Sequence, residues 1–173
     1  MGLDMYLRQS EYYSGYSFRP LEEREKFNRL AECVKAVPTA EAPGIYVDTT
    51  VTYWRKANAI HGWFVRELAN GVDECQEIQV AREQLQSLVA QCKAVKATMD
   101  RAKEASGKLT IPEEDNPLPP TSGFFFGDTS DPDYYYEDLV DTIKKLETVL
   151  ENTVPQPGDE PWDVPTFIYQ ASW

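Results

Sequence analysis

The chain is short of the residues on which most metal sites and many enzymes depend. One histidine, His61, and three cysteines, Cys33, Cys75 and Cys92, are all that its 173 residues offer. No two cysteines form a CxxC pair, so neither a zinc ligand set nor a disulfide framework is expected. The cysteines read as free thiols of a reducing cytoplasm. The glycines never fall into GxGxxG, GxxxxGKS/T or GxSxG, and no HExxH occurs, which removes the dinucleotide, P-loop, serine-hydrolase and zincin signatures. No run approaches the ~20 apolar residues of a membrane span. The start, Met-Gly-Leu-Asp-Met-Tyr-Leu-Arg, has an early acid and no apolar h-region, and Tyr6 stands where myristoylation wants Ser or Thr. A soluble protein without membrane, metal or cofactor is the expectation.

Basic residues run out along the chain. Residues 1–111 carry 15 acidic and 15 basic side chains, whereas residues 112–173 carry 14 acidic and 2 basic. The whole net charge of −12 therefore belongs to the last third. Such a chain repels duplex nucleic acid, yet its neutral first two-thirds can still build a positive pocket for one small anion.

A hydrophobic fraction of 42% and an aromatic fraction of 12% provide for a real core, and the length suits one domain over residues 1–173. Leu3 to Arg8 alternates as a strand, and a Ser/Tyr/Gly loop follows to Phe18. A helix is expected from Leu21, with Phe27, Leu30 and Val34 as its buried stripe and Pro38 as its stop. Ile45 to Tyr53 reads as a half-buried strand. The next helix is expected from about Trp54 to Asn70, with Gly71 ending it. After Val80 a third helix places Leu85, Leu88, Cys92, Val95 and Met99 on one seam. Asp131-Pro132 is an N-cap and first-turn proline for a last helix with Leu139, Ile143, Leu146 and Leu150 inward. Thr166 to Trp173 closes the chain as a strand. The fold class expected is α+β, about four helices on a small mixed or antiparallel sheet.

Two stretches carry chemistry. In Tyr-Trp-Arg-Lys-Ala-Asn-Ala-Ile-His-Gly-Trp-Phe, Tyr53 to Phe64, a helix of about 3.6 residues per turn sets Trp54, His61 and Val65 on one side, with Asn58, then Gly62 and Arg55, at its edge. An imidazole and an amide beside an arginine and a bare glycine make a floor for a ligand. Free N–H groups at a helix start near Arg55 and Lys56 would suit phosphate or carboxylate. A hydrogen-bonded core histidine with packed tryptophans fits the same pattern. The second stretch lies in a long Pro/Gly/Phe loop at about 106–132. There Phe124, Phe125 and Phe126 stand between Gly123 and Gly127, and Tyr134-Tyr135-Tyr136 follows. These aromatics either close over a nucleobase or plug the core. The acids Asp128, Asp131, Asp133, Glu137, Asp138 and Asp141 lack calcium-loop spacing and read as caps and a solvated face.

Gly-Leu-Asp-Met-Tyr-Leu, Tyr-Trp-Arg-Lys-Ala-Asn-Ala-Ile-His-Gly-Trp-Phe, Gly-Phe-Phe-Phe-Gly-Asp and Tyr-Gln-Ala-Ser-Trp, in that order, resemble a family of small accessory proteins of tailed bacteriophages and prophages. The resemblance spans nearly the whole chain. It implies the cytoplasm of a bacterial host and carries no catalytic residues. Accessory phage proteins of this size often counter host defence. The expected function is therefore non-catalytic binding of a small polar ligand, with a nucleotide second messenger sequestered by Trp54, Arg55, Lys56, Asn58, His61 and Phe124 to Phe126. A homo-oligomer would accommodate such a site between subunits. The alternative is an acidic inhibitor of a host defence protein that imitates nucleic acid, and a nucleotide-directed enzyme is a third reading.

Overall fold

In the computed structural model, residues 2–37, 41, 43–158 and 164–173 are described. The elements run β1 (Asp4–Ser14), α1 (Leu21–Cys33), β2 (Gly44–Arg55), α2 (Asn58–Leu68), β3 (Ile78–Val80), α3 (Arg82–Ser106), α4 (Pro132–Asn152) and β4 (Thr166–Ser172). The strands make one sheet in the order β2-β1-β4-β3, every pair antiparallel. The α+β expectation holds, with four helices among the described residues.

Alternation builds the sheet's inner face. Met5 and Leu7 of β1 stand opposite Trp54 and Thr52 of β2 on one side and Ala171 and Tyr169 of β4 on the other, and all are buried. Between Leu7 and Arg8 the register slips, because Val51 is an extra residue in β2. The outer face shows aromatic cross-strand pairs, Tyr6 with Tyr53 and Tyr12 with Tyr46. Tyr53 donates to Asp4, and Arg8 pairs with Asp48 and Glu77.

The helices follow the predicted seams closely in two cases. Leu85, Leu88, Cys92, Val95 and Met99 of α3 are all buried, and burial pushes the Cys92 thiol up to about 12. In α4, Leu139, Leu146 and Leu150 are buried and Ile143 is half-buried. Its start is as expected, since the Asp131 carboxylate accepts from the N–H groups of Asp133 and Tyr134. Trp54 fastens β2 to α4 by donating its indole N–H to Thr142 Oγ1 at 3.0 Å.

Four expectations need correction. β1 continues through Gln9 to Ser14, where the Tyr/Ser/Gly composition suggested loop; pairing with the long β2 holds it in the sheet. β3 was not expected, because three residues are too few to show a period. α1 buries Phe27 and Ala31, leaves Leu30 half-buried and Val34 exposed, and ends at Cys33; Pro38 lies outside the described residues. Most important, Trp54 and Arg55 belong to β2 and not to a helix, and α2 starts only at Asn58.

The turn between β2 and α2 explains that shift. Pairing with Asp4 and Met5 carries β2 to Arg55, and Lys56 then takes a left-handed conformation, φ 60°. Its N–H donates to Leu3 O at 2.8 Å, and its carbonyl accepts from Asn58 N at 2.8 Å. A β-strand partner thus overrides the helical pattern read locally. The left-handed lysine costs roughly 1–2 kcal/mol against a relaxed backbone.

Candidate functional site

α2 is buried almost from its first residue: Asn58 through Phe64 are all inside. His61 is 1% exposed and lies between two partners, with Nδ1 2.8 Å from the Tyr169 hydroxyl and Nε2 2.9 Å from Asp73 Oδ2. Burial, with the Asp73 charge nearby, holds the Tyr169 hydroxyl well above its ordinary range, so it stays an O–H. The consistent arrangement has Tyr169 donating to Nδ1 and Nε2–H donating to the Asp73 carboxylate. Both imidazole nitrogens are therefore occupied within the fold, and His61 presents neither to a ligand. Of the two readings of this residue, the geometry is that of the core histidine.

The space expected above Gly62 is also taken. A Cβ built there would stand 1.9 Å from Thr121 Oγ1, so the loop after α3 packs directly on the helix. Asn58 holds that loop in place. Its Oδ1 accepts from Thr121 N at 3.1 Å, and its Nδ2 donates to the carbonyls of Asp128 at 3.0 Å and Phe126 at 3.4 Å. Tyr135 adds a hydroxyl bond to Leu118 O at 2.7 Å. Asn58 is thus a clamp whose amide makes three hydrogen bonds to one loop. Asn58→Ala is expected to cost about 2–3 kcal/mol through buried loop groups left unpaired, and limited proteolysis should then cut between residues 117 and 128 first.

The phenylalanine triplet divides. Phe126 is buried and meets the His61 ring edge-on at 4.9 Å and Trp173 at 6.0 Å. Phe125 is half-buried, and its carbonyl accepts from Leu3 N. Phe124 is 94% exposed and touches Phe125 edge-on. Phe126 plugs the core, and none of the three lines the cleft next to them.

That cleft, of about 510 Å³, opens beside the start of α2, between the end of β2, residues 120–129 and the start of α4. Arg55, Lys56 and Asn58 of the predicted set line it, together with Gly127, Tyr134, Tyr135 and Asp138. His61, Trp54 and Phe124 to Phe126 do not. Lys56 is exposed and makes no ion pair or side-chain hydrogen bond among the described residues; Arg55 reaches only Asp4, at 4.0 Å. The helix-start N–H groups expected near Arg55 and Lys56 are not on offer, because Lys56 N is bonded to Leu3 and the helix begins later. The cations act through their side chains. Gly127, with φ 90°, allows the loop to pass Lys56; a Cβ would lie 3.3 Å from the Lys56 Cβ.

Opposite them stand residues that sequence reasoning did not assign to the site. Tyr134 and Asp138 are four apart on α4 and so share a face, with Tyr135 beside them. Asp138 is half-buried and forms no hydrogen bond or ion pair among the described residues. Burial, aided by the charges of Asp141 and Glu137 and opposed by Lys145, raises its carboxyl to about 7. Burial likewise lifts the Tyr135 hydroxyl to about 12. Asp128 at the rim goes the other way, lowered by bonds from Ser130. The readable signal was the i, i+4 pair of tyrosine and aspartate immediately after a strong helix start.

Among the described residues no helix is long and apolar enough to cross a membrane, and no three His, Cys, Asp or Glu side chains gather as metal ligands would. All three cysteines are free. Comparison with protein families, with curated proteins and with solved structures finds no match.

Proposed function

We propose that the protein binds a small anionic ligand with a flat, stackable part in the cleft of Arg55, Lys56 and Tyr134, a nucleotide being the class that fits best. The observation that carries this reading is a pair of cations lining one cleft with an exposed tyrosine ring, one of them without a side-chain partner among the described residues and the other with a distant one. The cleft volume lies inside the roughly 300–1,000 Å³ of small-molecule sites. Two side-chain cations can hold a phosphate by charge-assisted hydrogen bonds, and an aromatic face stacks on any base. In the host cytoplasm that the phage resemblance implies, such a protein would sequester a nucleotide signal without transforming it.

The acidic-inhibitor reading draws less from the geometry. Several acids of the last third are already engaged: Asp141 with Lys145 and Glu147 with Lys93, while Asp131 caps α4 and Asp128 holds Ser130. These engagements orient four of the acids, while the segment as a whole keeps its negative excess.

Calorimetric titration with mono-, di- and cyclic nucleotides tests the proposal. Binding is expected in the wild type, and Arg55→Ala and Lys56→Ala should each lose about 1.5–3 kcal/mol of it, or roughly ten-fold or more in Kd. Absence of binding across the series, or undiminished binding by both variants, would overturn it.

A further inference from the structure

The polar groups of the cleft come from different parts of the chain. Arg55 and Lys56 come from the end of β2 and its turn, whereas Asp138 stands on α4, one turn beyond Tyr134. The charges that act on Asp138 are those of its own helix, namely Asp141, Glu137 and Lys145; Arg55 and Lys56 are not among them. From the other elements around the cleft, α2 presents Asn58, whose amide N–H groups both donate to the loop, and the loop presents Asp128 and Thr129. Tyr134 and Tyr135 flank the carboxyl from α4, and the Tyr135 hydroxyl is bonded to Leu118 O. The half-buried Asp138 carboxyl thus lines the cavity and accepts no hydrogen bond among the described residues.

Removing a carboxylate from water without donors is unfavourable, so the group stays protonated further up the pH scale than an ordinary aspartate. A ligand that brought two adjacent N–H groups would satisfy both oxygens at once, as an arginine fork does. The base edge with two adjacent donors is that of guanine, N1–H beside the N2 amino group. Adenine presents a donor beside a lone pair at the equivalent place, and the lone pair would oppose an ionised carboxylate.

We propose that Asp138 is the specificity-determining residue of the cleft, taking the paired N–H donors of a guanine-type edge while Arg55 and Lys56 hold the phosphate of the same ligand. The inference rests on the anion-binding reading above and adds to it the identity of the ligand's other end. Tyr134, 67% exposed and lining the same cleft, supplies the ring on which the base lies.

The probes are GMP, AMP and inorganic phosphate, titrated calorimetrically at pH 6 and pH 8 in two buffers of different ionisation enthalpy. Wild type should bind GMP at least about ten-fold more tightly than AMP, two charged-acceptor hydrogen bonds being at stake. GMP binding should also release a proton beyond that seen with AMP, whose phosphate titrates identically, because the donors favour the ionised carboxyl. In Asp138→Asn the GMP/AMP ratio should fall toward one and the extra proton release should vanish, since the amide offers one acceptor and one donor.

Folding of the variant is not in doubt on these contacts. The aspartate's carboxyl sits at about 7 in the fold against 3.8 ordinarily, so between those values the unfolded chain binds fewer protons and native stability falls as pH rises. Asp138→Asn removes that loss and should melt no lower than wild type at pH 8. An unchanged GMP/AMP ratio and proton release in Asp138→Asn, or a wild-type preference for AMP, would overturn the assignment to Asp138 alone. If none of the three probes binds, or if Arg55→Ala and Lys56→Ala bind all three as wild type does, the anion-binding reading falls and this inference with it.

Discussion

Gly62→Ala is expected to lower stability by about 1–3 kcal/mol, the range for overpacking a close-packed site, although the same change in an unobstructed helix would raise it by about 0.5–1 kcal/mol. The added Cβ would stand 1.9 Å from Thr121 Oγ1, 2.8 Å from Arg66 Nη1 and 3.0 Å from Thr121 Cβ. The arginine tip can swing away. Thr121 Oγ1 can turn aside about χ1 but its Cβ cannot, because the Thr121 N–H is bonded to Asn58 Oδ1 at 3.1 Å and Asn58 also fixes the loop at Phe126 and Asp128. Relief requires the loop to lift from α2, and the loop carries Gly127, Asp128 and Thr129 into the cleft. Gly62→Ala should therefore weaken the proposed nucleotide binding as well as lower the urea midpoint. The double variant Gly62→Ala with Thr121→Gly, which removes both crowding atoms, should recover much of the lost stability, a coupling that distant sites would not show. Stability of Gly62→Ala at or above wild type would show that helix and loop are not in this contact.

The same contact shows what local sequence patterns can and cannot convey. Helix seams were legible because they depend on a repeat within one segment: Leu85 through Met99 on α3 and Leu139 through Leu150 on α4 fall where the period puts them. The cap at Asp131 was legible for a similar reason, being three residues of chemistry next to a proline. Trp54 and Arg55 were misplaced because their state is decided fifty residues away, by the antiparallel register with Asp4 and Met5. Gly62 looked like open floor because no local rule tells which loop will lie on a glycine. The cleft was half legible. Arg55, Lys56 and Asn58 were named from their own segment, but Tyr134 and Asp138 face them from α4, and only the tertiary fold joins those segments. The acidic bias of the last third hid Asp138 among neighbours whose roles are capping and pairing.

His61→Leu should destabilise the protein by about 2–4 kcal/mol, combining lost hydrogen bonds with a buried hydroxyl left unpaired, and should leave the proposed nucleotide binding of the folded protein unchanged. The leucine fills most of the imidazole's volume, so the loss is chiefly polar. Tyr169 is 1% exposed, and its hydroxyl has only His61 Nδ1 as a partner among the described residues. Asp73 suffers less, since its side chain is 26% exposed and still accepts from Trp173 Nε1 at 3.3 Å. That asymmetry makes a second expectation. Tyr169→Phe added to His61→Leu should recover about 1–3 kcal/mol, because the orphaned hydroxyl is gone while the stack of the Tyr169 ring on Phe64, 3.8 Å between centroids, is kept. Asp73→Asn alone should cost less than His61→Leu, since an amide oxygen can still accept from Nε2–H. Thermal unfolding of wild type, His61→Leu, Tyr169→Phe and their double variant measures the cycle, that of Asp73→Asn the remaining comparison, and titration with GMP well below each midpoint measures the site. A fall in affinity in His61→Leu with little loss of stability would reverse the assignment and return the histidine to the ligand. The hydrogen bonds at both of its nitrogens argue for the opposite outcome: the imidazole joins α2, β4 and the segment before β3 from inside, and the cleft is read by the residues around it.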